Sequence, residues 1–492
     1  MVSIDKLPDD ALLEIFDHYM FYFRHKLGPR YSEGAWKSLA HVCHRWRRIV
    51  FEAPRRLDLQ LFCTGRTPAR DRLGVWPTLP LIIQVDSDNS IRSVDNIIAA
   101  LECTDRVCQI NLVHVESSNM EILLAAMQQP FPDLTYLDLW PWSYDETVSV
   151  PDSFLGGSAS HLESLSLRYI PFPGLPTLLL SATHLVDLTL WRIPHSGYFT
   201  PNAMANALST LISLDNLELQ FISARSCPDR ESPPSTRSVV PGLTRFVFRG
   251  VSEYLEDLIA RIDAPQLETL HITFFNDIVF DTPQLIQFIS RTPGLQALEK
   301  AIITLWPGDH TARVEFTSQT LRDRRLAVEI ACKGLYWQLS SLEQVCTSGL
   351  APLSLLEDLY FELYGNLNPD WEDDIDIYDY YRDDVEDPQA DSDWKNDIDN
   401  ELWVELLRPF SAVKNLYLAE YVASFVAPAL QELVEGRTTE VLPTVLPALQ
   451  NIFVEKLESS GSVQEGIRRF VAAQQVAGHP IAVSRWERGM RY

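Results

Sequence analysis

Trp140, Arg168 and Trp191 are the residues of this chain whose types and spacing most invite chemistry. Each follows the last aliphatic of a recurring pattern, aliphatic-x-x-aliphatic-x-aliphatic, in three successive copies. The chemistry implied is recognition, not bond-making. A guanidinium beside an indole is attracted to the ring face by about 0.5–2 kcal/mol. Trp, Tyr and Arg are also the types enriched at interface hot spots. Tyr136 precedes Trp140 by four residues on the same strand face, and Arg245 and Arg249 hold the same two ranks in a later copy. These six residues are the candidates for capturing an acidic or aromatic-rich segment of a protein target. The alternative is a row that packs on itself or lies under a neighbouring loop.

Motifs for catalysis are missing. The chain has no Gly-x-Ser-x-Gly, His-Glu-x-x-His, P-loop or Gly-x-Gly-x-x-Gly. Its seven cysteines (43, 63, 103, 108, 227, 332, 346) form no Cys-x-x-Cys, and no His or Cys pair follows Cys103 and Cys108 at zinc-finger spacing. The expectation is no catalytic residue, no metal, no cofactor, and mostly buried, reduced thiols.

The elements that must position the candidate row are the repeats themselves. The pattern begins at Leu134, Leu162, Leu185, Leu214, Leu243 and Leu267, at steps of 23–29 residues. That is the leucine-rich repeat period. Weaker copies begin at Val107, Leu295, Leu356, Val413 and Leu449. The last two aliphatics alternate with one residue, which is strand periodicity. Intervening stretches such as Asn202 to Leu211 and Tyr254 to Ile262 have helical spacing. A strand and a return helix cannot each bury an apolar face alone, so neighbours stack. The expected fold is α/β: a curved solenoid, parallel sheet inside and helices outside, over residues 57–492. It begins with Leu57-Asp-Leu59-Gln-Leu61 and Leu81 to Val85. The usual Asn or Cys after the strand is missing, so the repeat is a divergent one.

Residues 1–56 read differently. Pro8, Asp9 and Asp10 suit a first helical turn. Leu12, Leu13, Ile15, Phe16 and Tyr19 then recur at helical spacing. A polar loop near Gly28 to Ser32 separates this from a second predicted helix, Trp36 to Val50, which Pro54 ends. The run Leu7-Pro8-Asp9-Asp10-x-Leu12-Leu13-x-Ile15-Phe16, followed by Leu39-Ala40-x-Val42-Cys43-x-x-Trp46-Arg47-x-Ile49, resembles an F-box. The stretch from Phe21 to Ala35 is longer than in the usual F-box. The resemblance implies that Leu7, Pro8, Leu12, Ile15, Phe16 and Val42 lie at or beneath the contact with a Skp-type adaptor. It also implies that Trp46, with Ile49, mostly holds the helices together. Over the whole chain, including Trp337 to Leu342, Val413 to Leu418, Gly436 to Glu440 and His479 to Arg485, the sequence resembles a large group of basidiomycete fungal F-box proteins.

The formal charge is −26, which disfavours phosphate backbones and anionic lipid, so neither nucleic acid nor membrane is an expected partner. Half of that charge sits in residues 370–401, where fifteen acidic residues face only Arg382 and Lys395. This insert falls between the copies beginning at Leu356 and Val413 and reads as a solvated loop, with docking of a basic partner as the sharper alternative. Asp5, Asp9, Asp10, Glu14 and Asp17 interrupt any secretory signal, and no apolar run reaches membrane-spanning length. The cytoplasm or nucleus is the expected location. The resemblance implies a non-enzymatic substrate-recognition subunit of a Skp–cullin–F-box ubiquitin ligase. An F-box and repeat scaffold acting outside any ligase is the second expectation, and an enzyme with a site on the repeat surface the third.

Overall fold

In a computed structural model, the structure describes residues 4–27, 29–76, 78–85, 94–142, 148, 150–151, 153–222, 236–275, 282–296, 298–306, 311–318, 320–321, 324–331, 335–349, 353–363, 400–435, 445–456 and 461–487. The chain forms two compact units, Met1–Asn216 and Leu217–Tyr492. The acidic insert lies outside the described residues except for Asn400 and Glu401.

The first unit opens with three α-helices, α1 (Asp9–Tyr22), α2 (Pro29–Ala40) and α3 (His44–Glu52). The single second helix expected from the sequence is therefore two. Cys43 divides them with an extended backbone, and its sulfur accepts from the Trp46 amide at 3.5 Å, as an N-cap does. The expected polar loop is shorter than the sequence suggests: residues Phe23–Leu27 form a π-turn, and α2 starts at Pro29.

Parallel strands follow in spatial order: β1 (Leu61–Cys63), β2 (Leu81–Gln84), β3 (Val107–Val115), β4 (Tyr136–Pro141), β5 (Ser164–Arg168) and β6 (Asp187–Ile193). Their register aligns the repeat pattern, pairing Ile110 with Leu137, Leu137 with Leu165, and Leu165 with Leu188. The aliphatics of each copy are almost fully buried, as at Leu134, Leu137 and Leu139. Residues between them point to the opposite sheet face, here called the inner face. One return helix, Pro201–Leu208, shows why it starts where it does. Thr200 accepts from the Ala203 amide at 3.1 Å, and Pro201 occupies the first turn, where its missing N–H costs nothing. β7 (Asn216–Phe221) carries the copy at the boundary between the two units.

In the second unit, β8 (Ser238–Val239) and β10 (Ile262–Asp263) form a small parallel pair. The main strands are β9 (Arg245–Gly250), β11 (Thr269–Phe275), β12 (Lys300–Trp306), β13 (Thr311–Thr317), β14 (Arg325–Ala331), β15 (Asp358–Leu363), β16 (Asn415–Leu418), β17 (Asn451–Glu455) and β18 (Ala482–Trp486). Their order is β9-β11-β14-β13-β12-β15-β16-β17-β18. The sheet is mostly parallel, but β13 pairs antiparallel with both β12 and β14. This corrects the wholly parallel array expected. Ala312, Val314 and Phe316 are buried on one face of β13, and β14 is buried on both faces from Leu326 to Ala331; among the described residues these two extra strands enter the sheet with no helix between them. The weak copy also begins at Leu298 and not Leu295, because Ala301 takes the place opposite Leu359.

Candidate functional site

The structure places Tyr136, Trp140, Arg168 and Trp191 together on the inner face of the first unit. All four are partly buried. The Arg168 guanidinium lies 4.7 Å from the Trp140 ring centroid. It does not separate the two indoles, as spacing alone suggested. Trp140 and Trp191 touch directly, edge to face, at 6.1 Å. The cation on Trp191 is Arg192, at 4.9 Å. Arg168 keeps one third of its side chain exposed, so the row is not sealed beneath other segments.

Three further residues join the row through backbone geometry that no sequence pattern reveals. His114, Tyr169 and Arg192 each follow an inner-face residue and adopt φ of 58°, 59° and 53°. Left-handed backbone is uncommon for residues other than glycine. Strict alternation would send these side chains toward the helices. Instead His114 lies 4.0 Å from Trp140, Tyr169 lies 5.1 Å from Trp191, and Arg192 lies 5.4 Å from Tyr169. The only sequence signal is the residue type: a polar or aromatic side chain where other copies carry Phe221 or Phe274.

Arg245 and Arg249 lie on β9 of the second unit and are described there. Arg245 is exposed, while the Arg249 guanidinium lies 5.3 Å from the Phe275 ring. On the same unit Glu329 is 9% exposed, with His271 3.8 Å away. Burial pushes the Glu329 pKa up, but His271, Arg313 and Arg249 outweigh it and hold the carboxyl below the usual glutamate range. A depressed folded-state pKa stabilises the fold above the unfolded value, near 4.3, and that stabilisation is lost as pH falls toward the folded value. Glu329→Gln is thus expected to lower the melting temperature at pH 7 and to flatten its acid decline below about pH 4.3. Melting curves from pH 7 to pH 3 check this; parallel curves for the two proteins would contradict it.

The sequence reading missed an aromatic stack on this unit. Tyr360 and Tyr417 stack at 4.0 Å and 3°, Tyr417 and Phe453 at 4.6 Å and 9°, and Lys300 caps Tyr360 at 4.1 Å. Strict parallel register aligns these rings on β15, β16 and β17. An amide ladder runs beside them, from Asn451 to Asn415 and from Asn415 to Asp358, each at 2.7 Å.

The adaptor candidates divide by depth. Leu12 and Phe16 are 0% and 1% exposed, so they form the core of the helices and no outward patch; of the two places expected, at the surface or beneath it, they lie beneath. Trp46, partly buried, lies against Phe16, with ring centroids 4.7 Å apart and the planes tilted by 57°. Leu7 is partly buried and Pro8 exposed. The outward apolar residues include Ile15, Tyr19 and Tyr22, one face of α1 at i, i+4 and i+7, and Val42 at 58% exposure; Phe21 and Tyr31 are exposed as well. Asp9 ties α1 to α3, accepting from Arg45 at 2.8 Å and Arg48 at 2.9 Å. These partners hold the Asp9 carboxyl below its usual range.

Glu33, which the sequence reading passed over, joins the helices to the first strand. It is 7% exposed, accepts from the Phe62 amide at 3.0 Å, and pairs with Lys37 and Arg72. Trp36, fully buried, donates to the Gln60 carbonyl at 3.1 Å.

Among the described residues, no group of three His, Cys, Asp or Glu is placed to hold a metal ion, and no helix is long and apolar enough to cross a membrane. A cleft of about 440 Å³ lined by Pro68, Arg70, Asp71, Asp95, Asn96 and Ile98 holds no histidine or cysteine.

No family model and no curated protein matches the chain. Among solved structures, the leucine-rich repeat-containing protein LegL7 from Legionella pneumophila is similar at 13% identity, over 84% of this chain and 97% of that one, with a TM-score of 0.26. The strand–helix repeat assigned here rests on this chain's own register and burial.

Proposed function

We propose that the chain is a non-enzymatic substrate receptor of the F-box type. Its N-terminal helices dock a Skp-type adaptor of a cullin ubiquitin ligase in the cytoplasm or nucleus, and the repeat surface takes a protein target. The observation that carries the reading is the exposed stripe of Ile15, Tyr19 and Tyr22 with Val42, on helices whose sequence resembles an F-box. Large apolar side chains set outward along one short helix face mark a protein contact more often than a solvent surface. The strand–helix repeats of each unit supply a surface on which a second partner can be held. The division into adaptor-binding residues 1–56 and a target-binding remainder belongs to this same proposal. Ligation would be carried out elsewhere in the complex, so no catalytic group is assigned here.

Co-expression with a Skp-type adaptor and its cullin tests the reading. The expected result is a stable ternary complex that Ile15→Asp with Val42→Asp abolishes while the melting temperature holds. Adaptor without cullin would instead mark a scaffold outside the ligase, and no adaptor binding would overturn the reading. A chemical probe is available in Cys43, which is exposed beside Val42, whereas Cys63 and Cys346 are buried. Burial pushes the Cys63 thiol up to about 11, and Cys108 likewise to about 11. Thiolates are the reactive form, so alkylation at pH 7.5 is expected to label Cys43 well before these two. Bound adaptor is expected to slow Cys43 labelling at least tenfold, as read by peptide mass spectrometry. Unchanged labelling would place the adaptor elsewhere.

A further inference from the structure

Arg192 carries a positive charge into a place where the described residues supply nothing to neutralise it. It is 6% exposed, it has no carboxylate within ion-pair distance among the described residues, and its Nη2 has no hydrogen-bond partner. A guanidinium does not shed its proton, so the charge persists. Burying a charge without a hydrogen-bonded counterion is unfavourable, and an incoming anion relieves it. A second buried donor, the indole N–H of Trp140, is also unpartnered. The two belong to one cluster, because Trp140 contacts Trp191 at 6.1 Å and Trp191 contacts Arg192 at 4.9 Å. Left-handed backbone at Tyr169 and Arg192 builds that cluster, and such strain persists where the surroundings hold it in place, often at ligand sites.

We propose that this cluster is a cradle for a carboxylate presented by an acidic segment of the protein target, with the two indoles as its apolar walls. The proposal rests on the receptor reading above and names the chemistry of its target. A carboxylate brings one charge, matching one unneutralised guanidinium, and two acceptor oxygens, matching two unfilled donors. A phosphate group brings nearly two charges. It would approach Asp138, which is 5% exposed and has one carboxylate oxygen 3.9 Å from the Arg168 Nε. Repulsion from that buried acid selects the singly charged ligand.

The test measures binding of three fluorescein-labelled peptides to the full chain: alternating Leu and Glu, alternating Leu and Gln, and alternating Leu and phosphoserine. The chain's net charge of −26 works against indiscriminate binding of acidic peptides, so selectivity reports the site. The Glu peptide is expected to bind at least tenfold tighter than the Gln peptide. Arg192→Met and Trp140→Phe should each weaken the Glu peptide at least fivefold and leave the Gln peptide within twofold. Trp140→Phe removes one N–H and keeps a ring, so it decides the matter if Arg192→Met does not fold. Equal binding of the Glu and Gln peptides, tighter binding of the phosphoserine peptide, or indifference to Trp140→Phe would overturn the cradle. Adaptor co-purification is measured on the same proteins. Its loss beside intact Glu-peptide selectivity would sink the receptor reading and leave the cradle standing.

Discussion

Replacing Phe16 by alanine is expected to melt the N-terminal helices and, with them, the adaptor capture proposed for them. The Phe16 ring is 1% exposed and sits 4.7 Å from the Trp46 ring, between the buried Leu12 and Met20 of its own helix. Truncating a buried Phe to Ala costs about 3–5 kcal/mol, part for lost burial and part for the cavity left behind. The three helices have 14, 12 and 9 residues, too short to persist in water without tertiary packing. Local opening of residues 9–52 should therefore rise by a factor of roughly 10² to several times 10³, at about 1.4 kcal/mol per tenfold. Amide hydrogen exchange reads this directly, with protection lost across α1 to α3 and kept in β3 to β6. Ile15→Asp supplies the contrast, since Ile15 is 46% exposed. It should keep wild-type protection and still lose the adaptor. Wild-type protection in the Phe16→Ala protein would show that the helices draw their stability from elsewhere.

Glu33→Ala should be nearly as damaging, through charge instead of volume. One carboxylate gathers the Phe62 amide, Lys37 and Arg72, and the Arg72 guanidinium also donates to the Phe62 carbonyl at 3.1 Å. Removing the acid leaves a largely buried amide and a partly buried guanidinium without their acceptor. Breaking a buried pair from one side costs about 3–5 kcal/mol, and the one-quarter exposure of Arg72 argues for the lower end. For a unit of this size, about 3 kcal/mol lowers the melting temperature by roughly 6–12 °C. Glu33→Gln keeps the shape and loses the charge, so it should fall between. The effect should appear in the first unit's transition and spare the second. A drop under about 2 °C in Glu33→Ala would mean that Trp36 and its bond to Gln60, and not Glu33, anchor the helices.

These two residues show unequal legibility. Phe16 lies on an apolar stripe of period 3.6, which the sequence displays, but which members of the stripe face inward was not displayed. Leu12 and Phe16 went to the core and Ile15 stayed outside, because the packing of α3 against α1 decides the angle of the stripe. Glu33 gave no signal at all. A single acidic residue in a helix looks like a solvated one until a strand amide and an arginine from 29 and 39 residues away converge on it.

The repeat array was determined locally. Its aliphatic spacing dictates strand alternation, strands with one apolar face must stack, and stacking in register follows, so six strong copies predicted six buried strands. The inner-face positions of Trp140, Arg168 and Trp191 follow from the same alternation. Tertiary structure alone decided the rest. The antiparallel run β12-β13-β14 joins strands that follow one another closely, but the seating of β14 beside β11 and of β12 beside β15 brings distant segments together, which periodicity does not encode. The approach of Trp140 to Trp191, the turn of Tyr169 and Arg192 into the row, and the alignment of Tyr360, Tyr417 and Phe453 depend on backbone angles and register set between elements. Local sequence fixes which residues alternate. The distances and unmatched charges of the inner-face cluster arise only when separate repeats are brought side by side.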